Sequence, residues 1–449
     1  MTTTTIDCAT TRDAHLQAFG RLAPGLPGRG IDWLDRLRRD AFRRFKDAGM
    51  PHRGLEAWKF TGLDLLAKHA FSPVPEAAAE AEAEAGSDFG PGGCAAKLVF
   101  VDGRFHAGRS RRSTLAKGVT VTTLAAALGK TPGLIEGRLS AVDGAAGALW
   151  DLNAAFMADG AVVRLEAGAK LDKPISLVFL SSGAKHGAHH VRNLVTLGAG
   201  AEATVIETHG APGGDQAAAF SNAVTDVALG EGAALMHVRV QDLGPGAVHT
   251  ARAVVEIAKG AHYTSFALAM GAALSRQETD ATFTGPNGGV RLFGAYLGRD
   301  RQHLDHTTRV DHAHPRCCTE EFFKGVLDDR AHGVFQGLIR VAPQAIGTDA
   351  RQKNQALLLS DRAAASTKPE LEILADDVKC THGATVGDLD ADELFYLMTR
   401  GLSEAEARRL LIAGFIGDVI DRFDQGAVAQ HLHACVARWQ DRDQGGFHG

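Results

Sequence analysis

Apolar residues recur along this chain with two different periods, and the changes of period divide it into three zones. Up to about residue 95 the spacing is helical. Within Ile31–Gly49 the residues Leu34, Leu37, Ala41 and Phe45 fall three or four apart, with arginines and aspartates between them, which gathers the apolar side chains on one helical face. Gly49 and Pro51 stop that helix. The stretch Glu76–Gly93 (EAAAEAEAEAGSDFGPGG) reads as a solvated linker, because alternating Ala and Glu closed by Gly and Pro offer nothing to a core.

From about 96 to 388 short apolar runs rich in β-branched residues follow one another: Lys97–Val101, Ala161–Leu165, Ile175–Leu180, Leu194–Thr196, Ala203–Thr208 and Ala253–Ile257. Glycine-containing turns separate many of them, which predicts strands. A repeat lies in these turns. RLEAGA, TLGAGA, ALGEGA and EIAKGA place their last glycine at 168, 200, 232 and 260, and GPNGG adds Gly288, giving steps of 32, 32, 28 and 28 residues. Such a period predicts a solenoid whose units bury their apolar faces by stacking. With strands and no intervening helices, the expected form is a β-helix rising about 4.8 Å per coil. An immunoglobulin-like sandwich is the rival, but its turns recur every ~8–12 residues without a longer register.

Residues 389–449 return to helical spacing. Asp390 with Glu393, and Ser403 with Glu406, have the spacing of a capping box. The first helix, about Ala391–Arg400, ends at Gly401, a residue suited to the left-handed position after a helix. In the second, Leu411, Phe415, Ile416, Val419, Ile420 and Phe423 form one stripe. Two helices joined by so short a link predict an antiparallel hairpin. Its stripe serves either to dock a partner or to cap the solenoid.

The balance of charge narrows the functions. Among 449 residues, 48 Lys and Arg face 53 Asp and Glu, a net charge of −5. That leaves no electrostatic footprint for nucleic acid or an anionic membrane. No run of about 18 apolar residues exists to span a bilayer, and the opening MTTTTIDCATTRDAH lacks the pattern of a secretory signal. The six cysteines are sparse and never form CxxC, so reduced thiols in the cytoplasm are expected.

Two groups of residues invite chemistry. His303, His306, His312, His314, Cys317 and Cys318 fall within 16 residues, and imidazole and thiolate are preferred transition-metal ligands. Yet no sub-pattern matches a closed zinc site, and adjacent cysteines on a strand point to opposite faces. Packed or surface histidines are the plainer reading. The second group is Cys380-Thr-His382-Gly. A period of two puts Cys380 and His382 side by side on one strand face, where an imidazole can activate a thiol for sulfur transfer or iron binding. The alternative is a buried cysteine beside a hydrogen-bonded histidine. Gly129-Lys130-Thr131 imitates the end of a phosphate-binding loop, but the required earlier glycine falls on Leu124, so no nucleotide hydrolysis is expected. There is no GxSxG and no HExxH.

The run Thr348–Leu411, containing TKPELEILADDVKCTHGATVG, resembles the SufB/SufD family of iron–sulfur cluster assembly proteins, and its D-type (SufD) members in particular. Phe322–Ala350 and Gly54–Leu66 (GLEAWKFTGLDLL) fit the same family. Similarity is near-continuous from about 310 to 423, patchy through the solenoid and recognisable at the N-terminus. The resemblance implies a mainly β chain: a right-handed parallel β-helix core at 96–388, between an N-terminal helical region with linker at 1–95 and a C-terminal helical region at 389–449 that docks the SufC ATPase. It implies a scaffold that is not itself an enzyme and pairs with SufB, forming a transient iron–sulfur cluster at their interface with sulfur from a cysteine desulfurase system.

His382 is implied as the interface histidine and an iron ligand, with Cys380 as its neighbour. Phe415, Ile416 and Val419 are expected to contact SufC. The family's B-type members carry a sulfur-accepting cysteine in the run matching QKNQALLLSD; here Lys353, Asn354 and Gln355 occupy that region, so a partner must supply the acceptor. Flavin on the assembled complex and a homodimer of the isolated chain are further expectations. An alternative is a purely structural tether for the ATPase. A carbohydrate-active β-helix enzyme would need clustered carboxylates, and the acids here are spread out.

Overall fold

A computed structural model describes residues 9–73, 93–112, 115–139, 145–182, 186–211 and 218–442; the expected linker, apart from Gly93, lies outside them, as does Cys8. From Ala161–Leu165 onward, consecutive strands alternate between two sheets. One sheet runs, from the C-terminal end, through Ala364–Ile373, His332–Val341, His303–His312, Leu274–Phe283, Val248–Ile257, Ala219–Leu229 and Gly187–Leu197 to Ala161–Leu165 and Val119–Thr123. The other runs through Lys379–Gly387, Asp349–Leu358, Cys318–Leu327, Gly289–Gly298, His262–Ala269, Ala234–Asp242, Glu202–Gly210 and Ile175–Leu180 to Ala96–Val101. Pairing is parallel throughout the coils. It turns antiparallel at the N-terminal end, where Val119–Thr123 pairs Ala161–Leu165. This is the expected parallel β-solenoid, each coil giving one strand to each sheet.

The repeated glycines are the corners of these coils. Gly168, Gly200, Gly232 and Gly260 have φ between +64° and +73°, where a Cβ is costly. Each amide donates to a carbonyl of the next corner: Gly168 to Ala199, Gly200 to Glu231, Gly232 to Lys259 and Gly260 to Pro286, at 2.8–2.9 Å. The ladder therefore continues round the bend. Gly198, two residues earlier, answers a different demand, since a Cβ there would lie 2.6 Å from the Ala167 nitrogen. The register passes next through Asn287, with φ +62°, rather than Gly288. Gly288 is small for space: its Cβ would meet the Phe283 ring at 2.8 Å.

The inner faces of both sheets enclose one elongated core, which includes Val195, Val227, Val255, Phe283, Phe335, Leu177, Val205, Tyr263 and Phe323. Their outer faces are covered by helices. Ala9–Leu22, Asp32–Ala48, Asp64–Lys68 and Ala148–Phe156 lie against the first sheet, burying Phe45, Trp58, Trp150, Phe220 and Leu274 together. Glu404–Phe423 and Ala427–Asp441 lie against the second, where Ile416, Val419, Phe423 and Leu432 meet Val238, Phe266, Phe293 and Phe322. Asp390 caps Ala391–Thr399 by accepting from the amides of Asp392 and Glu393. Ser403 and Glu406 complete a reciprocal capping box.

Two features depart from the expected zones. The C-terminal region has a third helix, Ala427–Asp441, where a two-helix hairpin was expected. The interval 96–388 also contains Leu124–Lys130 and Ala148–Phe156. The latter is buried at every residue, so it shows no amphipathic period to read.

Candidate functional site

The two ends of the solenoid are finished differently. At the N-terminal end the last coils are closed by antiparallel pairing. At the C-terminal end Ala364–Ile373 and Lys379–Gly387 are the outermost strands of their sheets. Each presents one row of backbone groups with no further coil among the described residues.

Cys380 and His382 stand on this outermost coil. Parallel register pairs Cys380 with Ala350, His382 with Gln352, Ala384 with Asn354 and Val386 with Ala356. Ala350, Gln352, Asn354 and Ala356 all face the interior, at most 3% exposed. The residues above them continue the same inward columns. Those columns end in the open: His382 is exposed, Cys380 is half-buried against the core, and Val386 is 48% exposed. Alternation therefore places the thiol and imidazole on one face, as the sequence predicts. Activation of the thiol is not what the surroundings favour. Burial, and then the charge of Asp349, raise the Cys380 pKa, which leaves it protonated at neutral pH.

A polar column descends from His382 into the interior. Gln352 Nε2 donates to Glu321 Oε2 at 2.9 Å, and Thr308 Oγ1, from the facing sheet, donates to the same oxygen at 2.8 Å. Burial raises the Glu321 carboxyl to about 7. Deeper in, Glu207 accepts from Thr225 Oγ1 at 2.7 Å and lies 2.9 Å from His237 Nε2. Burial opposes the Glu207 charge, but His237 and His209 beside it outweigh that and hold its pKa low. Glu321 and Gln352 escaped the sequence reading, because their pairing joins positions 31 residues apart.

The dense histidine and cysteine run is dispersed by strand alternation. His303 faces outward and meets Thr61 Oγ1 at 2.9 Å. His306 faces inward beside Tyr296 and Phe323, and burial lowers its pKa to about 3. His312 Nε2 lies 2.8 Å from Thr319 Oγ1, Cys317 is buried and Cys318 exposed. Among the described residues no three His, Cys, Asp or Glu side chains are placed to share a metal ion. The Gly54–Leu66 motif is likewise structural in its contacts. Arg276 lies over the Trp58 ring at 4.2 Å, donates to the Ala57 carbonyl at 2.8 Å and pairs with Asp305 at 2.5 Å.

The C-terminal stripe is occupied. Ile416 and Val419 have no exposed surface, and Phe415 is half-buried with Lys324 Nζ 4.2 Å from its ring centre. Those side chains hold the helix on its own sheet. Phe395, Tyr396, Met398 and Leu410 are 68%, 55%, 42% and 55% exposed.

The fold is a helix-flanked parallel β-solenoid, with His382 and Cys380 on the outermost coil of its C-terminal end. Residues 179–415 match the SufBD core domain of the SUF system FeS cluster assembly proteins, and residues 26–177 match the SufBD protein N-terminal region. The chain belongs to the SufBD family of iron–sulfur cluster assembly proteins. It is 31% identical over 395 residues to an iron–sulfur cluster assembly SufBD family protein of Synechocystis, covering 86% of this chain and 87% of that one. It is 30% identical over 393 residues to the iron–sulfur cluster assembly protein SufD of Escherichia coli, covering 87% and 89%. A SufBD family protein of Mycobacterium leprae shares 34% identity over 212 residues, 45% of this chain and 54% of that one. No helix among the described residues is long and apolar enough to cross a membrane.

Proposed function

We propose that this chain is the D-type subunit of an iron–sulfur cluster assembly complex, a scaffold without turnover of its own. It pairs with a SufB-type partner through the uncapped end of its solenoid and carries the SufC ATPase on its C-terminal helices. The observation that carries this reading is the coincidence of two features on one coil. Both sheets end there in a strand whose outer edge pairs with no further strand among the described residues, and that same coil bears His382 and Cys380. Exposed strand edges are normally blunted or covered, and another chain's strands cover them by extending the sheets.

The cluster is cargo. Sulfur reaches the partner's acceptor from a desulfurase, and His382 contributes one iron ligand at the junction. Incomplete ligation from each side suits release, whereas a site with four thiolates retains its cluster. Cys380, protonated and half-buried, supports the His382 strand and is not a second equal ligand. The apolar residues Phe395, Tyr396, Met398 and Leu410 supply the docking surface for the ATPase.

The test is co-expression with the SufB and SufC counterparts from the same genome. The three chains are expected to co-purify. His382→Ala should keep the complex while lowering its iron and acid-labile sulfide at least fivefold, and Cys380→Ala should lower them less than twofold. Undiminished iron and sulfide in an intact His382→Ala complex would show the chain to be a tether only.

A further inference from the structure

Gln352 is 2% exposed and crosses the solenoid interior toward the facing sheet. Gly337 makes room for it, since a Cβ at that position would collide with Gln352 Nε2. Only the NH₂ of an amide can donate to a carboxylate, so the hydrogen bond to Glu321 Oε2 fixes which way the Gln352 amide is turned. Its carbonyl oxygen Oε1 is therefore left as an oriented acceptor, and it has no hydrogen-bond partner among the described residues. A buried carbonyl without a partner is costly. The next residue in register above it is His382, one coil (~4.8 Å) away and free to rotate because it is exposed.

We infer that Glu321 and Gln352 are positioning residues for His382: Glu321 orients the Gln352 amide, and Gln352 Oε1 accepts a ring N–H of His382. The other ring nitrogen then keeps its lone pair, directed at the open end of the solenoid. Thr308 steadies the arrangement by donating to the same Glu321 oxygen. An imidazole binds a metal through its unprotonated nitrogen, and the hydrogen bond made by the other nitrogen sets which one that is. Loss of such a supporting partner typically costs about 10–100-fold in metal affinity. The inference rests on the reading of His382 as an iron ligand, and it adds the residues that prepare it.

The experiment uses the full chain with ¹⁵N-labelled histidine, the His382 ring signals being identified by their loss in His382→Ala. At pH 8 the wild type should show a single tautomer at His382. Gln352→Met, which keeps length and apolar bulk, should give averaged ring signals, and so should Glu321→Gln, which frees the Gln352 amide to turn over. The double exchange Glu321→Gln with Gln352→Glu restores an oriented acceptor, because the new carboxylate takes one hydrogen bond from the amide below and one from His382. It should recover the single tautomer. In the complex with the SufB and SufC counterparts, Gln352→Met should lower cluster iron about tenfold, and the double exchange should recover most of it.

An unchanged single tautomer in both Gln352→Met and Glu321→Gln overturns the inference, even if His382→Ala abolishes cluster formation. Undiminished cluster in His382→Ala instead overturns the ligand reading and leaves the tautomer result standing by itself. If Gln352→Met fails to fold, Glu321→Gln and the double exchange decide the matter.

Discussion

His15, His303, His306 and His312 hold neutral imidazoles because burial strips each ring of the water that would solvate its charge. Their pKa values fall from the ordinary 6.5 to about 4, 4, 3 and 4 respectively. A histidine whose folded pKa lies below its unfolded value leaves stability intact above about 6.5, and stability is lost as pH falls toward the folded value, because the unfolded chain then binds more protons. Glu321 works the other way. Its carboxyl, raised to about 7, contributes stability below its unfolded value of about 4.5 that is lost as pH rises through 7. Burial also lowers His189, His190, His249, His332 and His431 and raises Asp159 and Glu278, so lowered histidines outnumber raised carboxyls among the described residues and the urea midpoint should fall between pH 7 and pH 5. The fall should be shallower in His306→Phe, and a midpoint constant over that range would contradict the burial of these rings.

Residue-scale chemistry was legible where it follows from alternation alone. Cys380 and His382 share a face because strands have a period of two, and that needs no knowledge of neighbours. The same alternation dissolves the run from His303 to Cys318, which is compact in sequence and scattered in space. Glu321 and Gln352 were not legible, because each finds its hydrogen-bond partner a coil away or across the interior.

At the scale of the element, the apolar stripe of the helix Glu404–Phe423 left two readings open, a partner's surface or the solenoid itself. Its caps and apolar period were legible, but periodicity does not name what the stripe packs on. Here it packs on the second sheet of the same chain. Ala391–Thr399, by contrast, buries no residue and bears Phe395, Tyr396 and Met398 in the open, with Leu410 exposed on the helix that follows. Phe395→Asp combined with Leu410→Asp should therefore weaken retention of the ATPase tenfold or more in a pull-down, with the melting temperature within about 1 °C of wild type, as for exposed substitutions generally. Ile416→Asp should cost about 4 kcal/mol or more, since it buries an unpaired charge. Its binding loss would follow from detachment of the helix. If Phe395→Asp/Leu410→Asp retains full ATPase binding, the docking surface lies elsewhere. The corner glycines were the most legible elements, because the left-handed backbone at Gly168, Gly200, Gly232 and Gly260 leaves a residue-type signature. The signature fades where Asn287 and Arg316 take the same conformation.

For the whole molecule, the stacking that makes a solenoid also makes its ends unequal. Each internal coil satisfies its backbone through the coils on either side, whereas the coil of Ala364–Ile373 and Lys379–Gly387 is satisfied on one side only. The inward columns also surface there, leaving Ile373 and Val386 41% and 48% exposed with Leu374 at 51%. An end that combines free strand edges with exposed apolar side chains is a template for association. Without a SufB-type partner, the chain should therefore pair through a second copy of itself. Sedimentation of the isolated chain should show a concentration-dependent monomer–dimer equilibrium. Ile373→Lys with Val386→Lys should shift it at least tenfold toward monomer, because charges at a strand end oppose edge pairing. The internal coils should be untouched, so the melting temperature of the monomer should stay near that of wild type. Added partner should compete with self-association in the wild type, and the same two lysines should weaken the heterodimer. If the double variant dimerises as well as wild type yet still fails to bind the partner, the two associations use different surfaces. If neither association responds to the lysines, the open end is not where this protein meets another chain.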